Sequence, residues 1–181
     1  GEEFSIALDL SNGSQRKLAD HLHDHHGIDV QHSDALAPHQ LRRTEGRIIY
    51  LNRNLPVPTG NFQLLQQIAF LEQADTIAEI LDNANFKSSE SYDIARIGLG
   101  NYFAGAAQMP YMAFLNAAQE FRHDLEMMAD RFGASLEQIA HRLSTLQRVG
   151  NKGVPFFFLR VDRSGTITKR HSAAQLQFAR F

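Results

Sequence analysis

Cysteine is absent from all 181 residues, which excludes disulfides, thiolate metal sites and thiol catalysis within this chain. No run approaches the roughly 18 consecutive apolar residues of a membrane-spanning helix. Even so, 43% of the residues are hydrophobic, enough to bury a sizeable core. Gly1-Glu2-Glu3 is no signal peptide, and a cytoplasmic location without membrane contact is expected. The chain begins without Met and stops at Arg180-Phe181, so it reads as a piece of a longer protein. Repeats and low-complexity segments are missing. Acidic residues nearly vanish from one end: residues 141–181 carry 8 Lys+Arg against Asp162 alone, a net of +7. Residues 1–140 carry 10 against 19, a net of −9. A basic end of this kind is either a solvated face or a site for a polyanion, whether nucleic acid or a phosphate-rich small molecule.

The hydrophobic periodicities predict an α+β chain dominated by helices. Leu18, Ala19 and Leu22 form one stripe of a helix over Ser14–His26, closed by Gly27. Ile28-Asp29-Val30 suggests a short strand, and R-I-I-Y-L-N-R at Arg47–Arg53 is the clearest strand, ended by Pro56 and Pro58. Helices are expected at about 60–82 and 91–107. A further helix begins with Pro110 in its first turn and runs through Phe121. Asp124–Phe132 and Ser135–Gln147 form a helix pair broken at Gly133, followed by a hairpin of Val154–Asp162 with Gly165–His171. The helix pair and hairpin together have the outline of a winged helix, with Gln138, His141, Arg142 and Thr145 on the second helix. Only Arg142 among these is cationic, so direct DNA contact by residues 124–171 is kept as an alternative. Phe156-Phe157-Phe158 reads as a strand buried on both faces, or as one whose phenyl ring lines a pocket. A division into 1–122 and 123–181 follows.

Four histidines, His21, His23, His25 and His26, crowd one helix. His21 and His25 share a face at i, i+4 spacing, but no third ligand can be assigned from sequence, and Asp20 and Asp24 can pair with the imidazoles. A solvated face is the reading, with no metal in this chain.

A more specific signal lies in Asn61–Gln73, N-F-Q-L-L-Q-Q-I-A-F-L-E-Q, taken with N-Y-F-A-G-A-A-Q-M-P at Asn101–Pro110. By periodicity alone the first is an ordinary core helix with Phe62, Leu65, Ile68, Ala69 and Leu71 inward. The pair resembles the two central helices of the ImmA/IrrE-type zinc metallopeptidases. There an R-F-x-x-x-H-E-x-x-H helix supplies two ligands and a base, and an E-x-x-A-N-x-F-A-x-x-L-L-M-P helix supplies the third ligand. The resemblance puts Gln66, Gln67 and Phe70 at the His, Glu and His positions and Ile97 at the later Glu position, beside Gly98. An amide is a poor zinc ligand and no base near neutrality, and a phenyl ring is no ligand at all. The fold implied is zincin-like, with a small sheet and a winged-helix-like C-terminal subdomain. The activity implied is none; a degenerate peptidase with residual hydrolytic or protein-binding use is the alternative.

The whole chain, from L-A-D-H-L-H-D-H-H-G-I-D-V onward, is similar to the sensory domain of short-chain fatty acyl regulators of the PrpR and RamB type. The further motifs are R-F-G-A-S-L-E-Q-I-A-H-R-L-S-T-L-Q-R and G-V-P-F-F-F-L-R-V-D. This resemblance implies short-chain acyl-CoA effectors, propionate or acetate metabolism, and an N-terminal helix-turn-helix domain that contacts operator DNA. It also implies a C-terminal Cys-containing segment, with an iron–sulfur cluster in some members. A homodimer or higher oligomer is expected, because regulators on palindromic DNA are commonly dimers. A two- to four-carbon acyl group needs a small apolar pocket with a donor or two. Phe62, Gln66, Phe70, Tyr102 and Tyr111 are expected to form it, with Gln66 and Tyr102 as donors to the thioester carbonyl. Arg148, Lys152, Arg160, Lys169 and Arg170 are expected to meet the phosphates of coenzyme A.

Overall fold

A computed structural model describes residues 1–10 and 15–172; Ser14, where the first expected helix begins, and the end of the chain lie outside them. The elements run α1 (Glu2–Leu8), α2 (Gln15–His26), β1 (Asp29–Ser33), β2 (Arg42–Glu45), β3 (Ile48–Asn52), α3 (Val57–Glu72), α4 (Ala74–Asn83) and α5 (Ser89–Gln108). After these come α6 (Tyr111–Glu120), α7 (Leu125–Phe132), α8 (Leu136–Leu143), β4 (Phe157–Val161) and β5 (Ile167–Ser172). The α+β, helix-dominated reading holds. No described helix is long and apolar enough to cross a membrane. Backbone contacts divide the chain into Gly1–Pro110 and a second unit starting at Tyr111, where the sequence reading places the boundary after Arg122. The reason is α6: its Phe114 ring lies 5.1 Å from Phe132 of α7, so α6 shares a core with the helix pair.

In the first unit a three-stranded sheet, ordered β1-β3-β2, pairs β1 parallel and β2 antiparallel to β3. β3 alternates, and Ile49 and Leu51 enter a core with Leu18 and Leu22 of α2 and Leu64, Leu65 and Ile68 of α3. β2, Arg-Arg-Thr-Glu, has no apolar residue and gives no strand signal. It forms because it pairs with β3 from a tight turn through Gly46. α1 is equally silent in the sequence: it buries only Ser5 fully and lays Phe4 and Leu8 against the core. The single helix expected over 60–82 is two, broken at Gln73 (φ −117°, ψ 20°). Beyond the break, Ile77 and Leu81 are buried.

The second unit buries Phe114, Met128, Phe132, Ile139, Leu143 and Leu146. Asp124 caps α7 by accepting from the Glu126 and Met127 amides, and Gly133 ends it in the left-handed conformation (φ 55°). Ser135 and Gln138 form a capping box at the start of α8. β4 and β5 make the expected hairpin, with a bulge at Arg160/Val161. The tail strand is not buried on both faces, contrary to the sequence reading. Phe157 is 48% exposed; a two-stranded hairpin has only one face to pack against its helix pair.

Candidate functional site

α3 and α5 pack closely because α5 carries glycine at the crossing. A Cβ on Gly100 would lie 2.6 Å from Cε1 of Phe70 and 3.1 Å from Cγ of Gln66. Gln66 is buried, and its Nε2 donates to Oδ1 of Asn101 at 2.6 Å, so its amide is engaged within the helix pair. The Phe70 ring lies between Gly100 and the guanidinium of Arg96, whose carbon stands 4.5 Å from the ring centroid. Ile97 is 50% exposed and Gly98 faces open space. The positions matching a metallopeptidase ligand set therefore present two amides, a phenyl ring and an exposed aliphatic chain. Only Gln66 among them is buried; Gln67 and Phe70 are half-buried and Ile97 faces outward.

That packing bears on the expected pocket. Gln66 and Phe70 do meet, around Gly100. Phe62 is half-buried against the main core. Tyr102 is 75% exposed on α5, outside the enclosed space expected of it. Tyr111 belongs to the second unit, where it is 5% exposed and its hydroxyl is committed. It donates to the Asn151 carbonyl at 2.8 Å and accepts from the Arg148 amide at 2.8 Å. A small, partly open recess lies beside Phe70. A cavity of about 60 Å³ is walled by Phe70, Ala74, Ile77, Ala78, Leu81, Tyr92 and Arg96, from α3, α4 and α5. A larger hollow of about 470 Å³ shares Leu81 and Tyr92 and adds Asp82, Asn85, Phe86, Lys87, Ser88, Ser89 and Asp93. Apart from Phe70, no residue of either was expected from sequence. The apolar spacing of Ile77 and Leu81 and the isolated Arg96 were the available signals.

The five basic residues proposed for phosphates do not converge. Arg160 and Lys169 stand opposite each other across the hairpin, and both reach Glu137 of α8, at 3.3 Å and 3.5 Å. Arg170 pairs with Leu159 in the ladder and so points to the other hairpin face. Arg148 stacks its guanidinium 4.1 Å from the centre of the Tyr111 ring, and Lys152 is exposed. On the α8 side of the hairpin, His141 lies 4.8 Å from the His171 ring and 6.3 Å from Phe158, while Ser144 Oγ bonds His171 Nδ1 at 2.8 Å. Burial first, then Lys169 and His171, lower the His141 imidazole from 6.5 to about 4. Gln138 is held in its capping box. Thr145 Oγ1 donates to the Arg142 carbonyl at 2.7 Å and the Arg142 guanidinium lies 5.7 Å from the Tyr111 ring centre, so all four candidate base-reading side chains have partners within the unit.

Compared with known proteins, residues 23–144 match the family described as IrrE N-terminal-like domain. The chain belongs to that family. Residues 145–181 match the family described as short-chain fatty acyl coenzyme A regulator, C-terminal. The IrrE-like chain is 59% identical over 155 residues to the propionyl-CoA carboxylase regulator of Cereibacter sphaeroides, covering 86% of this chain and 33% of that protein. It is 38% identical over 172 residues to the HTH-type transcriptional regulator PrpR of Mycobacterium tuberculosis, covering 94% and 35%. HTH-type transcriptional regulator RamB of the same organism is 36% identical over 181 residues, covering 98% and 38%. The chain thus spans about a third of the length of these relatives. A solved structure of a Mycobacterium tuberculosis transcriptional regulator superposes with a TM-score of 0.86 at 35% identity, over 97% of this chain and 56% of that one. The resemblance to PrpR- and RamB-type regulators, and the IrrE-like fold it implied, are both borne out.

Proposed function

We propose that this chain is the non-catalytic, ligand-sensing part of a cytoplasmic transcriptional regulator of propionate or related short-chain fatty acyl metabolism, with short-chain acyl-CoA as effector. The observation that carries the reading is the small apolar cavity beside Phe70, at the position where a peptidase would hold its second histidine. At about 30 Å³ per water-sized group, about 60 Å³ accommodates the two carbons of a short acyl tail. The adjoining hollow, with Lys87, Ser88 and Ser89, has room and polarity for the pantetheine arm. The relatives' names support a role in regulation, and operator DNA would be met by a domain outside this chain, in a dimer or higher assembly. An iron–sulfur cluster, as in some members, would need cysteines that this chain lacks.

Hydrolysis has no support in the geometry, since Gln67 cannot act as a base and Gln66 is tied to Asn101. Direct DNA reading by α8 is disfavoured by the commitments of Gln138 and His141. The test is titration calorimetry and thermal melting of the chain with acetyl-CoA, propionyl-CoA and free coenzyme A. A ligand at a hundred times its dissociation constant stabilises by about 2.7 kcal/mol. Each kcal/mol raises the melting temperature of a domain of this size by roughly 2–4 °C, so a shift of several degrees is expected. Absence of both heat and shift with every thioester refutes the proposal.

A further inference from the structure

The histidine-rich helix α2 has a partner that its sequence conceals. At i, i+4 spacing, His21 and His25 look like the natural pair. The fold selects another. The His21 and His25 rings stack with centroids 4.2 Å apart, and Nδ1 of His25 contacts the carbonyl of His21 at 3.2 Å. His21 and His26 both turn to Glu72, the last residue of α3. Their Nε2 atoms lie 2.5 Å and 3.0 Å from the same carboxylate oxygen. His26 ends α2; the Gly27 amide bonds back to the His23 carbonyl and the Ile28 amide to that of Leu22. The chain's turn out of the helix there accompanies an i, i+5 pair that a continuing helix would spread apart. One potential ligand atom from each of the three residues lies within 4.8 Å of the others. Their side chains are 10%, 23% and 24% exposed, with the two histidines half-buried and Glu72 an exposed residue at the surface. Phe4 meets the His21 ring edge-on at 5.1 Å and closes one side.

We propose that His21, His26 and Glu72 form a binding site for one zinc-like divalent ion, separate from the positions that match the metallopeptidase ligands. Two imidazoles and a carboxylate suit zinc and its neighbours among the borderline transition ions, and magnesium or calcium poorly. Metal–ligand bonds of about 2.0–2.1 Å in a tetrahedron set the donors about 3.3 Å apart. The two imidazole nitrogens are already 2.5 Å and 3.0 Å from the Glu72 oxygen, so small side-chain rotations open the required space. The exposed side leaves the fourth position to water. Such an ion joins the C-terminal ends of α2 and α3. It also revises the expectation of no metal in the chain, which rested on the missing third ligand.

The experiment strips the 181-residue chain with a chelator, then titrates it with zinc by calorimetry and with cobalt(II) by visible absorption. Elemental analysis after dialysis gives the count. One ion per chain at micromolar free zinc is expected, with the intense visible bands of a tetrahedral cobalt site. Glu72→Gln and His26→Ala are expected to weaken binding by more than the roughly 10–100-fold that loss of an outer-shell partner costs. His25→Ala and Gln66→Ala are expected to leave affinity unchanged. Glu72→Gln keeps the shape of the side chain and so stays informative if His26→Ala fails to fold, which circular dichroism reports. Absence of binding at micromolar zinc overturns the proposal, leaving a hydrogen-bonded clasp. Binding that survives Glu72→Gln overturns it too, as does binding lost on His25→Ala or Gln66→Ala.

Discussion

Replacing Tyr111 by Phe removes one oxygen and separates two roles for that residue. The hydroxyl donates to the Asn151 carbonyl and accepts from the Arg148 amide, both at 2.8 Å, pinning the loop that leads from α8 toward β4. Arg148 also stacks on the ring at 4.1 Å, a contact Phe retains in weaker form. Each hydrogen bond is worth about 1 kcal/mol net, and a fully buried orphan costs about 1–3 kcal/mol. Arg148 and Asn151 are exposed residues, so water can reach the freed groups and the total stays near 2 kcal/mol. At roughly 2–4 °C per kcal/mol the melting temperature falls by about 4–8 °C. Calorimetric melting measures this, and hydrogen exchange at the Arg148 amide localises it. That amide should lose protection while acyl-CoA affinity is unchanged. Unchanged melting and exchange refute the structural role. Unchanged melting with lost acyl-CoA binding restores Tyr111 to the ligand site.

His141 makes the second unit sensitive to acid. Its imidazole is lowered from 6.5 to about 4, so the stability it contributes is complete above pH 6.5 and is lost as the pH falls toward 4. The full shift corresponds to about 3 kcal/mol. The ring is only half-buried, which reduces this to about 1–2 kcal/mol. Denaturant unfolding of wild type and His141→Gln across that window should show a shallower pH slope in the variant; a His141 resonance titrating near its ordinary value contradicts the reasoning. Phe70→Arg places a second guanidinium beside Arg96 and should abolish any preference for thioesters over free coenzyme A, measured by calorimetry. Lys152→Glu should weaken coenzyme A and its thioesters alike if the basic end meets phosphates, and change nothing if Lys87 does so instead.

Local pattern carried much of the fold. β3 announced itself through R-I-I-Y-L-N-R, α7 and α8 through Asp124, Gly133 and Ser135, and the hairpin through Asp162-Arg163-Ser164-Gly165. What failed was set by partners distant in the chain. β2 is polar and exists only because β3 offers it an edge. The break at Gln73 has neither Gly nor Pro to mark it, and only the burial of Ile77 and Leu81 shows where α4 turns. The motif comparison grouped Gln66 with Phe70, and the two side chains meet around Gly100. Tyr102, expected at the pocket, stands about 100° around α5 from its buried neighbour Phe103 and is exposed. Glu72 reads as the unremarkable end of an apolar helix until α2 is folded against it.

If the proposed acyl site is the Phe70 cavity, its size of about 60 Å³ limits how sharply acyl chains could be distinguished there. Two methylene-sized groups buried at about 0.8 kcal/mol each contribute about 1.6 kcal/mol. Propionyl-CoA should therefore bind roughly 10–20-fold tighter than free coenzyme A, since about 1.4 kcal/mol is tenfold. Taking a two-state regulator from 1:99 to 99:1 requires about 5.5 kcal/mol of differential affinity. On the proposed reading the acyl tail alone falls well short, so most of the switching energy would have to come from contacts to the rest of the coenzyme A thioester that differ between states. The cavity is walled by α3, α4 and α5, with the Gln73 break between the first two, so its occupant bears on the spacing of three helices at once. Side-by-side titrations with free coenzyme A, acetyl-CoA and propionyl-CoA measure the ratio. Equal affinities would remove acyl recognition from this cavity. A ratio near a thousandfold or above would exceed what burial supplies and would require a buried donor to the thioester carbonyl, a role the Gln66 amide can take only by leaving Asn101.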